Sequence, residues 1–233
     1  NWTSKEHPDS RYRRLMEKIN LEQYQSLIKD AQVIEKDGFG LKVLETQQGD
    51  MIKLFRRKRF FSTALLTPYA VRFNDNAKQL LALNIPSVTV KRLAYCDAIK
   101  RYIVIYKRLD GELLRDVLSN QDATADDMYQ QFGEFIAELH SKGVYFRSAH
   151  LKNILRLPNG KFALIDVSDM SIKRAPLRSG LCERNFSHIF RYREDQLLVK
   201  AHLASFLTTY AKKSHLGATA LASIERAIHS LLA

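Results

Sequence analysis

The chain has 233 residues, carries 37 Lys and Arg against 25 Asp and Glu for a formal charge of +12, and is 45% hydrophobic and 27% charged. That length suits one large domain or two small lobes, and the apolar content supports a buried core, which excludes a disordered chain and a disulfide-stapled miniature. Cys96 and Cys182 are too few and too far apart for a disulfide framework or a four-ligand zinc site, so a reducing, cytoplasmic setting is predicted. The most apolar stretch, 60–71, is interrupted by polar residues and falls short of the ~18–20 residues of a membrane span. Residues 1–14 lack the apolar core of a signal peptide and begin at Asn1 rather than Met, so this start reads as trimmed or processed. The positive charge attracts polyanions: nucleic acid, an anionic membrane face or a phosphorylated substrate.

In chain order, residues 10–30 read as an amphipathic helix, with Ser10 as N-cap and Leu15, Ile19, Leu27, Ile28 and Ala31 at roughly helical spacing. The period then changes. Segments 31–36, 41–46 and 51–55 are short alternating or β-branched runs separated by Asp37-Gly38-Phe39-Gly40 and Gln47-Gln48-Gly49-Asp50, which predicts a three-strand meander. Residues 74–84 predict a helix that stops before Pro86. Strands are predicted at 87–94 and 101–106, a lobe boundary at Asp110-Gly111, and a helix at 112–118. From Thr124 to 142, Met128, Phe132, Phe135, Ile136 and Leu139 share one helical face, Thr124 and Asp127 can cap the start, and Gly143 follows the end. Runs at 153–157 and 161–166 flank Pro158-Asn159-Gly160, a hairpin signal. Residues 167–193 read as irregular and basic, and helices at 194–211 and 218–232 close the chain. The order predicts an α+β fold in three parts: a helical extension at 1–30, a β-rich lobe at 31–110 and a helical lobe at 111–233.

Three groups of residues carry candidate chemistry. Gly38-x-Gly40 between two strands is small enough for backbone N–H groups to approach a phosphate, although such a turn is also an ordinary hairpin end. Lys53, flanked by apolar residues in Met51-Ile52-Lys53-Leu54, would ordinarily carry its ammonium out to solvent. Asn153 and Asp166 lie thirteen residues apart across the hairpin, where an amide oxygen and a carboxylate suit a hard divalent cation. A carboxylate ending an apolar strand is costly to bury without a partner or ion.

The element order with these signatures resembles the protein-kinase-like fold over roughly residues 30–232, with a small antiparallel β lobe and a mainly helical C-terminal lobe. The resemblance implies that Gly38 and Gly40 cover the phosphates of ATP and that Lys53 pairs with its α- and β-phosphates. It implies that Asn153 and Asp166 hold Mg2+, and that Ile103 to Tyr106 with 107–111 form the hinge reading the adenine edge. Two departures stand out. Where the catalytic aspartate is expected, five residues before Asn153, the chain has Ser148 in Phe146-Arg147-Ser148-Ala149-His150. A serine accepts no proton at neutral pH, so either the loop has lost its chemistry or Arg147, Lys53 and Mg2+ sustain transfer by positioning and electrostatics while His150 assists the acceptor hydroxyl. A structural role for His150 is the alternative. Ten residues before Pro86, where the lysine's glutamate partner is expected, stands Asn76, so an ion pair would need Asp75, Glu17 or Glu22.

Lys53 to Arg59 (KLFRRKR), Pro68-Tyr69 with Arg72-Phe73, Leu83-x-Ile85-Pro86, Val144 to Ser148, Asn185-Phe186 and Arg191-Tyr192 together look like the bacterial lipopolysaccharide kinase family. That family comprises the Kdo and core-heptose kinases and their toluene-tolerance relatives, the last sharing the Phe-Arg-Ser variant. The resemblance implies a sugar of the lipopolysaccharide core, or a related glycolipid, as acceptor. Arg56 to Arg59 and the basic residues Lys173, Arg174, Arg178, Arg184, Arg191 and Arg193 form either a solvated face or a surface for an anionic inner membrane. A pseudokinase with a regulatory or scaffolding role is the competing reading. Nucleic acid is not expected as a partner, because no recognition helix, RRM or zinc signature accompanies the charge.

Overall fold

A six-stranded sheet forms where the sequence alternates most clearly. The structure, a computed structural model, describes residues 12, 16–56, 67–120 and 125–233. The chain divides into two units, one of residues 1–78 and 88–109, the other of 79–87 and 110–233.

In the first unit, β1 (Glu17–Ile19), α1 (Leu21–Ile28), β2 (Gln32–Asp37), β3 (Gly40–Glu45), β4 (Asp50–Arg56), the start of α2 (Tyr69–Ala82), β5 (Thr89–Cys96) and β6 (Arg101–Lys107) follow in order. The sheet order is β1-β5-β6-β4-β3-β2, with β1 parallel to β5 and the other pairs antiparallel. Because side chains alternate along a strand, Ile52 and Leu54 join Leu44, Ala94, Ile103 and Ile105 on one face, packed with Ile19 and with Tyr24 of α1. Lys53 and Phe55 take the opposite face, where the Phe73 ring of α2 packs at a tilt against Phe55 and Tyr106 with ring centroids 5.9 and 5.3 Å away.

The single helix expected over 10–30 is corrected. Asn20 caps α1 through Gln23 N, and Gln23 returns a bond to Asn20 N, both at 2.8 Å. This capping box fixes the helix start at Leu21, and Glu17–Ile19 before it pairs as a strand with Ala94, Tyr95 and Cys96. Ser10 and Leu15, from the same expectation, lie outside the described residues, as do Thr124 and 57–59.

The second unit takes the end of α2 and then β7 (Glu112–Leu113), α3 (Leu114–Ser119), α4 (Ala125–Ser141), β8 (Val144–Phe146), a 3-10 turn (Leu151–Asn153), β9 (Ile154–Arg156), β10 (Phe162–Leu164), β11 (Met170–Ile172), α5 (Ser179–Ile189), α6 (Arg193–Lys200), α7 (Leu203–Lys213) and α8 (Ala218–Leu232). Strands β7, β9 and β10 form one small sheet, and β8 pairs with β11. Its core is aromatic: Phe132, Phe186, Phe206 and Tyr210 are fully buried. Gly133 lets α4 and α7 meet, since a Cβ there would lie 2.3 Å from the Phe206 carbonyl. Segment 79–87 belongs here because Leu164 N donates to Pro86 O and Ser87 Oγ donates to Leu164 O, at 3.0 and 2.9 Å.

Three further expectations are corrected. Residues 112–113 are a strand before the helix, recruited by pairing with Arg156 and Leu155. The segment 167–193 is not irregular: β11 pairs with β8, and α5 buries Cys182, Asn185, Phe186 and Ile189. The helix expected at 194–211 is two helices broken at Ala201 and His202. Both cysteines are free and buried. Among the described residues, no helix is long and apolar enough to cross a membrane.

Candidate functional site

The hairpin β9–β10 and the pair β8–β11 bring two loops of the second unit together. The first runs from Arg147 to Asn153, the second from Ile165 to Asp169. Ile165 N donates to the Asn153 carbonyl at 3.0 Å, so the residue before Asp166 is bonded to the asparagine itself. Arg147 N donates to Asp169 O at 3.1 Å, and its guanidinium reaches the Asp169 carboxylate at 2.8 Å.

The buried side chain of Asn153 has its nitrogen committed. Nδ2 donates to Ser148 O at 2.9 Å and faces His150 Nε2 at 3.2 Å. The side-chain oxygen takes no part in these two contacts. Asp166, half-buried, adopts φ +52, a left-handed conformation uncommon outside glycine, with Ser168 Oγ 3.4 Å from its Oδ1. Backbone strain of this kind concentrates at functional sites. An amide oxygen and a carboxylate on bonded neighbouring segments are hard donors of the kind Mg2+ takes alongside phosphate oxygens and water. Among the described residues no group of three or more His, Cys, Asp and Glu side chains could hold a metal ion, so such a cation would rest on this pair and its ligand.

His150 is placed to orient rather than to abstract a proton. Only donors sit on Nδ2 of Asn153, so the facing Nε2 is the acceptor and its lone pair is spent. Nδ1 is buried without a hydrogen-bond partner, and the ring stands edge-on to Tyr192 at 4.9 Å. Burial lowers the pKa of this imidazole, which keeps it neutral. In this geometry His150 Nε2 faces Asn153, which suits the structural role that the sequence also left open for it. Ser148, half-exposed, offers only its carbonyl to Asn153.

Beneath the 3-10 turn lies a buried ion pair that sequence reasoning missed. Asp195, fully inaccessible, accepts from Arg115 Nε at 2.6 Å and from Leu151 N at 3.2 Å, so a carboxylate on α6 fixes the turn that ends in Asn153. Arg115 also pairs with Glu194. A second network ties down β8: Asn185 Nδ2 donates to Phe146 O at 2.8 Å, and its Oδ1 receives His140 Nε2 at 3.2 Å. His140 Nδ1 in turn accepts from the Tyr210 hydroxyl at 2.9 Å. Burial lowers the His140 pKa to about 4. Asn185 stood in the quoted Asn185-Phe186, but Asp195 looks like any acid in the first turn of a helix.

The remaining expected residues lie in the first unit. Lys53 on β4 is 6% exposed, paired across the sheet with Val43 and Val104, its Nζ 5.5 and 5.8 Å from the Phe55 and Phe73 ring centroids. The expectation that it snorkels outward does not hold, because α2 covers that face. Asn76, one turn beyond Phe73, is buried as well. The proposed acid partners point elsewhere: Glu17 is paired with Arg92 at 2.6 Å, Glu22 is exposed on α1, and Asp75 is exposed beside Asn74.

Gly38 and Phe39 form a two-residue turn in which Phe39 N donates to Asp37 Oδ1 at 2.8 Å. Gly40 needs to be glycine, with φ +110, whereas Gly38 has an ordinary φ and open space around it. The turn is fastened by Arg56, 3.5 Å over the Phe39 ring, and by Arg101, which donates to Phe39 O at 3.1 Å. Tyr106, expected at the adenine edge, stands in β6. It lies in a central strand, paired with Met51 and Val90, and the ladder continues to Lys107, so its main chain is already used. Any such contact falls to 108–111, outside the ladders.

No family model matches the chain, and no curated protein matches it.

Proposed function

We propose that the chain is an ATP- and Mg2+-dependent phosphotransferase of protein-kinase-like fold, acting on a hydroxyl of a lipopolysaccharide-core sugar or related glycolipid. The supporting observation is the arrangement around Asn153: its side-chain nitrogen is held by Ser148 O, and its carbonyl is held by the N–H of Ile165, the residue before the left-handed Asp166. In this reading Asn153 and Asp166 hold Mg2+, which would neutralise charge between the nucleotide phosphates. Lys53, already desolvated among aromatic rings, would meet the α- and β-phosphates. Main-chain groups of 108–111 would take the adenine edge. The acceptor hydroxyl would be activated by positioning and electrostatics, since neither Ser148 nor His150 offers a base. The basic exposed surface of 173–193 would let the protein work as a peripheral visitor to the cytoplasmic face of an anionic membrane.

Ser148, together with the commitment of His150 Nε2 to Asn153, supports a second reading, a pseudokinase with a regulatory or scaffolding role that binds nucleotide weakly or not at all. The test is transfer of the labelled γ-phosphate of ATP to core oligosaccharide, alongside thermal shift with ATP and Mg2+. An ATP binder gains about RT ln(1 + [L]/Kd) in stability. Transfer lost in Lys53→Ala and Asp166→Ala is the expected result. Binding without transfer favours the second reading, and no binding overturns the first and leaves an empty pseudokinase fold.

A further inference from the structure

Arg184 and His188 stand four residues apart on α5, a spacing that places them on one helix face, and Arg191 lies just beyond the helix end. Arg191 Nη2 donates to His188 Nδ1 at 3.2 Å and to the Arg147 carbonyl at 3.3 Å. Nδ1 is therefore the acceptor, and Nε2–H donates to the Tyr145 hydroxyl at 3.1 Å. The imidazole is a neutral post that holds a guanidinium in place. Burial first, then Arg191, Arg184 and Arg147, keep its pKa lowered.

The charges around this post do not balance. Arg147 takes the Asp169 carboxylate with its guanidinium at 2.8 Å. Glu183, the acid next to Arg184, faces Ser223 Oγ at 3.4 Å instead. Among the described residues neither Arg184 nor Arg191 forms an ion pair with a carboxylate, so three guanidiniums share one acid and two positive charges remain in excess. Arg184 and Arg191 are exposed, so their remaining donors are open to a ligand. A guanidinium fixed in advance loses little freedom on binding and matches the oxygens of a tetrahedral anion in pairs.

We propose that Arg147, Arg184 and Arg191 form a binding site for a phosphate group, with His188 and Tyr145 as the posts that position Arg191. A phosphate on a soluble molecule and the headgroup of an anionic phospholipid present the same chemistry. The proposal concerns binding alone and stands or falls apart from phosphotransfer.

The experiment follows the imidazole resonances of the full chain by NMR while inorganic phosphate is added against chloride at equal ionic strength. A parallel arm measures sedimentation with vesicles of phosphatidylcholine containing phosphatidylglycerol. Saturable perturbation of His188 by phosphate, weakened at least tenfold in Arg184→Gln/Arg191→Gln, is expected for a soluble ligand. Vesicle binding lost in that variant, with no response to free phosphate, identifies a lipid headgroup as the source. Lys161→Gln/Lys212→Gln, which removes the same charge from the β9–β10 turn and α7, keeps the wild-type response. Arg191→Lys, retaining the charge and losing the fork, falls between wild type and the Gln variant. Equal binding by the Gln variant and wild type, or no binding in either arm, overturns the proposal.

Discussion

The loop from Arg147 to Asn153 and the turn between β2 and β3 both carry residues that suggest phosphate chemistry, yet they are held in opposite ways. Around Asn153 the side-chain amide, the carbonyl and the Leu151 N–H all have partners, and the acceptor for Leu151 is a fully buried carboxylate. Strand β2 is exposed along its whole length, and its turn is fastened by the Asp37 side chain, Arg56 and Arg101. A metal site demands donors fixed before the ion arrives, whereas a turn that approaches a phosphate through its backbone can adjust on contact. The rigidity of the first is carried by residues outside the Asn153 and Asp166 pair.

Removing that rigidity gives the largest expected effect. Asp195→Ala strands a buried guanidinium and a buried amide, and urea unfolding should show a loss of about 3–5 kcal/mol. A loss under about 1 kcal/mol would mean that α6 does not hold the loop. Next comes pH. The His140 pKa is lowered from 6.5 to about 4, so the unfolded chain binds the proton first as pH falls. Its contribution is fully present above pH 6.5 and is lost on going down to about pH 4, by up to about 3 kcal/mol. His150 and His188, also lowered, act in the same direction. Urea midpoints between pH 4 and 7 should fall less steeply for His140→Phe than for wild type, and equal slopes would refute the assignment.

Gly133→Ala drives a Cβ against the Phe206 carbonyl and should cost about 1–3 kcal/mol by thermal unfolding. The smallest effects belong to the exposed turn. Gly40→Ala should cost about 1 kcal/mol for its left-handed φ, and Gly38→Ala should stay within about 0.5 kcal/mol. A fall in nucleotide affinity for Gly38→Ala without a change in stability would mark a backbone approach to phosphate there.

What could be read from the sequence was what local chemistry dictates. Asp37-Gly38 and Gln47 to Asp50 punctuate the meander, and Asn159-Gly160 closes the β9–β10 hairpin where expected. The spacing of Asn153 and Asp166 marked two residues that the hairpin joins through Ile165. Residues 17–19 were lost to a helical pattern because three residues, Glu17-Lys18-Ile19, are too few to show a period of their own, and only the partner strand β5 decides it. The break at Ala201 and His202 carries no Gly or Pro, so it is set by packing. Asp195 could not be recognised as buried, because its partner Arg115 lies 80 residues earlier in the chain. Nothing local in Met51 to Leu54 shows that Lys53 is covered, because the rings around it belong partly to α2.

Calorimetric titration of the chain with ATP, with and without Mg2+, addresses the amide and acid pair most directly. Nucleotide binding that strengthens with Mg2+ in the wild type, and loses that dependence in both Asn153→Ala and Asp166→Ala, is the expected outcome. Mg2+-dependent binding of undiminished strength in both variants would show that these two side chains do not hold the ion.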